Sequence, residues 1–184
     1  HHVKKAFDAI KNSMISVMNA SNSIDIIYPG SMNTTFKDVA GLDGPKEDLQ
    51  DIIEFLKKPE KFKMMGAHMP KGILMCGGPG NGKTLLARAA AGEINCPFIS
   101  VQGSDFSSKW AGTGVEKVTE LFKIAREIAP CIIFIDEIDA VAATRSNDGG
   151  GVARDDNKTI TALLTEMDGL HQHDKPIIII GATN

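Results

Sequence analysis

Hydrophobic positions along this 184-residue chain recur in two alternating rhythms. Leu49, Ile52, Ile53 and Leu56 fall at spacings of three and four, which predicts a helix over 43–56. A short apolar run then predicts a strand over 73–76, and an Ala- and Leu-rich segment a helix over 83–93. The alternation continues with a strand at 98–101, a helix at 115–128 carrying Val118, Leu121, Phe122 and Ala125 inward, and a strand at 131–135. A helix over 156–167, with Ile160, Leu163 and Leu164 on one face, leads to a last strand at 177–180. Strands at 131–135 and 177–180 are apolar without interruption, the pattern of strands buried on both faces. Strand–helix alternation of this kind predicts an α/β fold of three layers around a parallel sheet. Before this region, Val3, Phe7, Ile10, Met14 and Val17 or Met18 mark an amphipathic helix, and 19–34, rich in Asn, Ser, Pro and Gly, reads as a linker. The globular domain is therefore expected over 35–184, with 1–34 holding a tag remnant (His1 and His2), the helix and the linker. Residues 147–151 read as a polar, glycine-rich loop.

Composition narrows the class. A hydrophobic fraction of 42% and a charged fraction of 23% fit a globular chain that needs no disulfide staples. A formal net charge of −3 argues against a protein that coats nucleic-acid phosphates. The longest apolar runs are about six residues, against the roughly eighteen of a membrane span. Any membrane attachment is thus expected only through segments outside this chain. Cys76, Cys96 and Cys131 form no CxxC pair, and Cys76 and Cys131 sit in or beside apolar runs, which points to a reducing, cytoplasmic setting. His171 and His173, with Asp174, read as a polar turn in preference to a metal pair.

The strongest chemical signal follows the first predicted strand. Gly77-Gly78-Pro79-Gly80-Asn81-Gly82-Lys83-Thr84 fits G-x-x-x-x-G-K-[ST], and it lies between a strand and a helix, as a phosphate-binding loop requires. Its glycines let backbone N–H groups face a phosphate, and the following helix, through Leu85, adds its positive end. Lys83 supplies a cation for β- and γ-phosphate oxygens of a nucleotide, and Thr84 a hydroxyl for Mg²⁺. A second signal closes the strand at 131–135, where Asp136 and Glu137 emerge at its carboxyl end. Asp136 suits a Mg²⁺ ligand and Glu137 the base that orients water; strand-end acids also cap helices, and that reading stays open here. Asn184, past the last strand, suits a γ-phosphate contact or a turn.

These three pieces, in this order, resemble the AAA ATPases, a P-loop NTPase family, over roughly Thr35 to Asn184. Within that family the strings Phe134-Ile135-Asp136-Glu137-Ile138-Asp139-Ala140-Val141 and Met167-Asp168-Gly169-Leu170 look most like the hexameric, membrane-anchored FtsH metalloproteases. The resemblance implies that Asp38, Val39 and Ala40 lie on the adenine, and that Asp168 and Gly169 signal between subunits; Leu170 departs from the family's Phe. It also implies that Trp110, in Lys109-Trp110-Ala111-Gly112, grips a polypeptide substrate in a central pore. The Lys-Trp pair is closer to katanin and spastin, and a buried core Trp is the alternative. Gly78 stands where the family often has Pro. The family's arginine fingers, fifth strand and helical lid would follow Asn184, so the chain is read as a partial AAA module with its first strand at a sheet edge. No His-Glu-x-x-His protease signature occurs.

The expected function is Mg²⁺-dependent ATP hydrolysis that drives polypeptide unfolding, in a homo-hexamer, with no nucleic-acid partner. A GTPase is disfavoured because the one Asn-Lys pair, Asn157-Lys158, lacks the Asp of a guanine-reading motif. A stand-alone remodelling ATPase and a hydrolysis-incompetent scaffold are the alternatives.

Overall fold

The computed structural model describes residues 24–64, 66, 70, 72–106, 113–142, 152–170 and 175–184. The amphipathic pattern at 3–18, Trp110, the loop at 147–151 and the His171–His173 turn lie outside the described residues.

Five strands form one sheet: β1 (Asp25–Ile27), β2 (Gly72–Cys76), β3 (Phe98–Gln102), β4 (Cys131–Asp136) and β5 (Ile177–Thr183). Their order is β1-β3-β4-β5-β2. The pairs β3–β4, β4–β5 and β5–β2 are parallel, whereas β1 runs antiparallel to β3. The helices are α1 (Asp43–Lys57), α2 (Pro59–Met64), α3 (Lys83–Ile94), α4 (Thr113–Ile128), α5 (Asp139–Ala142) and α6 (Val152–Gly169), with 3-10 turns at Phe36–Asp38 and Gly103–Phe106.

Alternation along the central strands builds both cores. On β4, Ile132 and Phe134 face one side with α1 and α3, while Cys131, Ile133 and Ile135 face the other with α4 and α6. On β5, Ile178, Ile180 and Ala182 join the first side and Ile177 and Ile179 the second. A strand covered on both faces must be apolar at every position, which explains the unbroken Ile runs. Phe98 and Phe134 stack across neighbouring strands with ring centroids 5.8 Å apart. The three-layer α/β architecture is thus as the sequence predicts. No described helix is long and apolar enough to cross a membrane.

One expectation changes. The stretch at 19–34 is not wholly a linker, because Asp25–Ile27 adds an edge strand, so the sheet is mixed, not purely parallel. Ile24 and Ile26 pack into the α4 side and Ile27 into the α3 side, which anchors this short strand. A three-residue strand is too brief to leave a period in the sequence. β2 lies at the sheet edge, as the resemblance implies, with Cys76 exposed and Leu74 59% exposed. β2 pairs only with β5 among the described strands, so its apolar run does not mean full burial.

Candidate active site

The sheet order sets the site. β5 lies between β2 and β4, so the carboxyl ends of all three meet on one edge. β2 delivers the phosphate loop, β4 delivers Asp136 and Glu137, and β5 delivers Asn184. Gly77 N–H donates to Thr183 O (3.2 Å), which ties the loop's first residue to the end of β5.

The loop turns through Gly80 and Gly82, at φ +77° and +79°, a region that costs a side-chain-bearing residue energy. Gly82 caps α3, and no side chain satisfies that helix end. The first N–H groups of α3 are therefore available to an anion. Lys83 opens α3, and its side chain folds back over the loop. Its Nζ donates to Gly77 O, to Gly78 O (3.1 Å) and to Asn184 Oδ1 (2.7 Å). Thr84, one residue on, points its hydroxyl at Asp136 Oδ2, 3.4 Å away. These are hard oxygen donors at the spacing of a shared small cation, and they fit Mg²⁺, which takes one or two protein oxygens beside substrate phosphates.

Asp136 Oδ1 also accepts from Glu137 N–H (3.0 Å), which fixes the carboxylate relative to the turn. Glu137 has φ +50°, unusual for a residue with a side chain, and its carboxylate is exposed. The turn is held by Ala140 N–H donating to Glu137 O and Ile138 N–H to Ala182 O, both 2.9 Å. The two acids thus project at the strand edge, one toward Thr84 and one outward.

The segment expected on the adenine packs against α3, and Asp38, Val39 and Ala40 do not line the cleft between α1, β2 and the loop. Asp38 accepts from Thr35 N–H (2.8 Å) and Thr35 Oγ1 (3.1 Å), a capping box that holds its carboxyl below the usual range. Its side chain is thereby committed to the turn. Val39 is buried among Leu49, Ile53 and Leu86, and its carbonyl accepts from Lys46 Nζ; Ala40 is exposed. Phe36 N–H donates to Glu93 Oε1 (3.1 Å), which fastens the segment to α3. Leu85 is 42% exposed on the first turn of α3.

A cleft of about 320 Å³ opens between α1, β2 and the loop. Leu42, Pro45, Leu49, Ile52, Ile73 and Leu74 give it an apolar wall, and Asn81 and Lys83 close its polar end. Sequence reasoning did not single out this wall. The usable signal was the exposed side of an edge strand facing the start of α1, which emerges only from the sheet order.

The family model for the ATPase family associated with various cellular activities (AAA) matches residues 73–184. The chain belongs to the AAA family. Its relatives agree: the ATP-dependent zinc metalloprotease FtsH 2 of Methylacidiphilum infernorum is 50% identical over 159 residues, 86% of this chain and 25% of that protein. FtsH of Rhodothermus marinus is 50% identical over 174 residues, covering 91% of this chain and 24% of that protein. YME1L of Drosophila melanogaster is 46% identical over 178 residues, 97% of this chain and 24% of that protein. The chain spans about a quarter of the length of these relatives. It is an AAA ATPase domain, and its phosphate loop, strand-end acids and Asn184 all fall within the matched residues.

Proposed function

We propose that this AAA domain hydrolyses ATP in a Mg²⁺-dependent reaction and, within a longer FtsH-like assembly, couples it to polypeptide unfolding and translocation. The observation that carries the reading is the convergence of two pairs at one sheet edge: Lys83 bonded to Asn184, and Thr84 within hydrogen-bonding reach of Asp136.

In this reading the base of ATP rests against the apolar wall of Leu42, Ile73 and Leu74, beside Val39 and Ala40, and the phosphates lie along Gly77–Thr84. Backbone N–H groups of the loop and of α3 hold the phosphate oxygens, and Lys83 neutralises charge on the β- and γ-phosphates. Thr84 and Asp136 hold Mg²⁺, which when bound offsets the negative charge of the phosphates. Asn184 and Glu137 orient a water in line with the γ-phosphorus. The water oxygen forms the new P–O bond, the bond to the ADP oxygen breaks, and Glu137 takes the proton. A positioned base of this kind contributes about 10²–10⁴-fold.

The names of the relatives, ATP-dependent zinc metalloproteases, support a proteolytic machine as the setting. Trp110 is proposed to grip the polypeptide, in a homo-hexamer whose membrane attachment comes from segments outside this chain, with the domain on the cytoplasmic side. The test is Glu137→Gln in the full-length protein. It is expected to retain ATP binding while losing both phosphate release and unfolding of a fluorescent protein substrate. Wild-type turnover in that variant would remove Glu137 as the base. Full ATP turnover with no substrate unfolded in wild type would favour a different coupling.

A further inference from the structure

Glu137 is exposed, so no packing fixes its carboxylate directly. Its aim is set by the backbone of the turn at Asp136–Ile138, which carries an unusual φ of +50° at Glu137. Such a conformation persists only where the surroundings over-determine it. Two glycines crowd this turn from neighbouring strands. Gly103 is buried at the start of the 3-10 turn and follows Gln102, the residue of β3 registered with Asp136. A Cβ on Gly103 would lie 2.2 Å from Glu137 O, 2.9 Å from Glu137 C and 3.2 Å from Asp136 O. All three are backbone atoms, so no rotamer change relieves the contact. On the other side, a Cβ on Gly181 of β5 would lie 2.9 Å from Cδ1 and 3.4 Å from Cγ2 of Ile138.

We propose that Gly103 is a positioning residue for Glu137: its bare Cα is the seat on which the Asp136–Glu137 backbone rests, with Gly181 forming the opposite wall. Any side chain at 103 must push the Glu137 peptide off its seat by roughly an ångström, and a shift of that size can cost about a hundredfold in rate. The loop that binds phosphate is carried by β2 and α3 and tied to Thr183, outside the seat, so nucleotide affinity is expected to change little. The inference rests on the reading of Glu137 as the base.

The test is a double-mutant cycle in the full-length protein, reading kcat for phosphate release and the Kd of a fluorescent ATP analogue. Gly103→Ala is expected to lower kcat about a hundredfold and to leave Kd within about threefold. In a Glu137→Gln background the same substitution is expected to change kcat by no more than about twofold, because the group it misplaces is already disabled. A kcat for Gly103→Ala equal to wild type, or a further hundredfold loss in the Glu137→Gln background, would overturn the proposal. Wild-type kcat in Glu137→Gln alone would instead overturn the assignment of the base.

If Gly103→Ala does not fold, Gly181→Ala decides, since its Cβ would meet side-chain atoms and no backbone: Cδ1 and Cγ2 of Ile138 and, at 3.5 Å, Cδ1 of Leu74. It is expected to lower kcat with Kd retained, and Ile138→Val, which removes Cδ1, is expected to restore it. No loss of kcat, or a loss that Ile138→Val fails to restore, would overturn the seat.

Discussion

Lys83 Nζ donates to Asn184 Oδ1 at 2.7 Å, a contact between residues 101 positions apart in the chain. Gly77 O and Gly78 O take the other two donors, so the three N–H groups of the ammonium are matched by three protein acceptors. A phosphate oxygen that bonds Lys83 must displace one of them. The Asn184 carboxamide, a side chain at the sheet edge, yields most easily. Asn184→Ala removes that competitor and is expected to tighten ADP binding by about threefold to tenfold, the worth of one ordinary hydrogen bond. The same variant should slow ATP turnover if, as proposed, Asn184 helps orient the attacking water. Titration with a fluorescent ADP analogue, beside phosphate release, checks both. Unchanged or weaker ADP binding would contradict the competition.

The three cysteines should separate by reactivity. Cys76 is exposed and lines the cleft beside Gly77, whereas Cys96 and Cys131 are buried. Burial pushes the Cys96 thiol up to about 12 and raises Cys131 as well, so neither offers much thiolate near neutral pH. Iodoacetamide at mildly alkaline pH is expected to add a single adduct, at Cys76, and ATP should slow it. Peptide mass spectrometry of the native protein would show this. Labelling of Cys96 or Cys131 at a comparable rate would contradict it.

Those raised thiols also set a pH dependence. Above the unfolded thiol value of about 8.5 the unfolded chain loses a proton that the folded chain keeps. Stability therefore falls as pH rises from there toward the Cys96 value of about 12. The slope is at most about 1.4 kcal/mol per pH unit for each buried thiol. Urea unfolding of wild type and Cys96→Ala across this range should give a shallower fall in the variant.

Most of the fold was legible because its central strands are buried on both faces and its helices on one. The runs at 131–135 and 177–180 could only be central strands, and they are β4 and β5. The structure extends β5 to Thr183, so the strand carries Asn184 directly to the site. What stayed hidden depends on partners distant in sequence. β1 exists because Ile24 and Ile26 find the α4-side core, and α2 is a six-residue helix beside α1 with too few turns to show a period. The phosphate loop and the strand-end acids were legible as local strings. Their proximity was not, because it follows from β5 inserting between β2 and β4. Gly103 and Gly181 gave no signal either, since the close approach of a backbone at one and of the Ile138 side chain at the other leaves no mark on the sequence around a glycine.

Gly92 should matter for stability. A Cβ there would lie 1.9 Å from Thr34 O, a backbone atom of the segment fastened to α3. Gly92→Ala is expected to destabilise the domain by about 1–3 kcal/mol, the usual cost of overpacking. Thermal unfolding of the two proteins would measure it, and an unchanged midpoint would contradict the close approach.

The most direct measurement is the affinity of the 184-residue chain for a fluorescent ATP analogue in Mg²⁺, compared between wild type and Lys83→Ala. Lys83 bridges the loop carbonyls and Asn184 at the point where all three strand ends meet. Loss of its charge-assisted bonds to phosphate is worth about 1.5–3 kcal/mol, so the variant should bind roughly tenfold to a hundredfold more weakly. Equal affinity in the two proteins would contradict an ATP site built around Lys83.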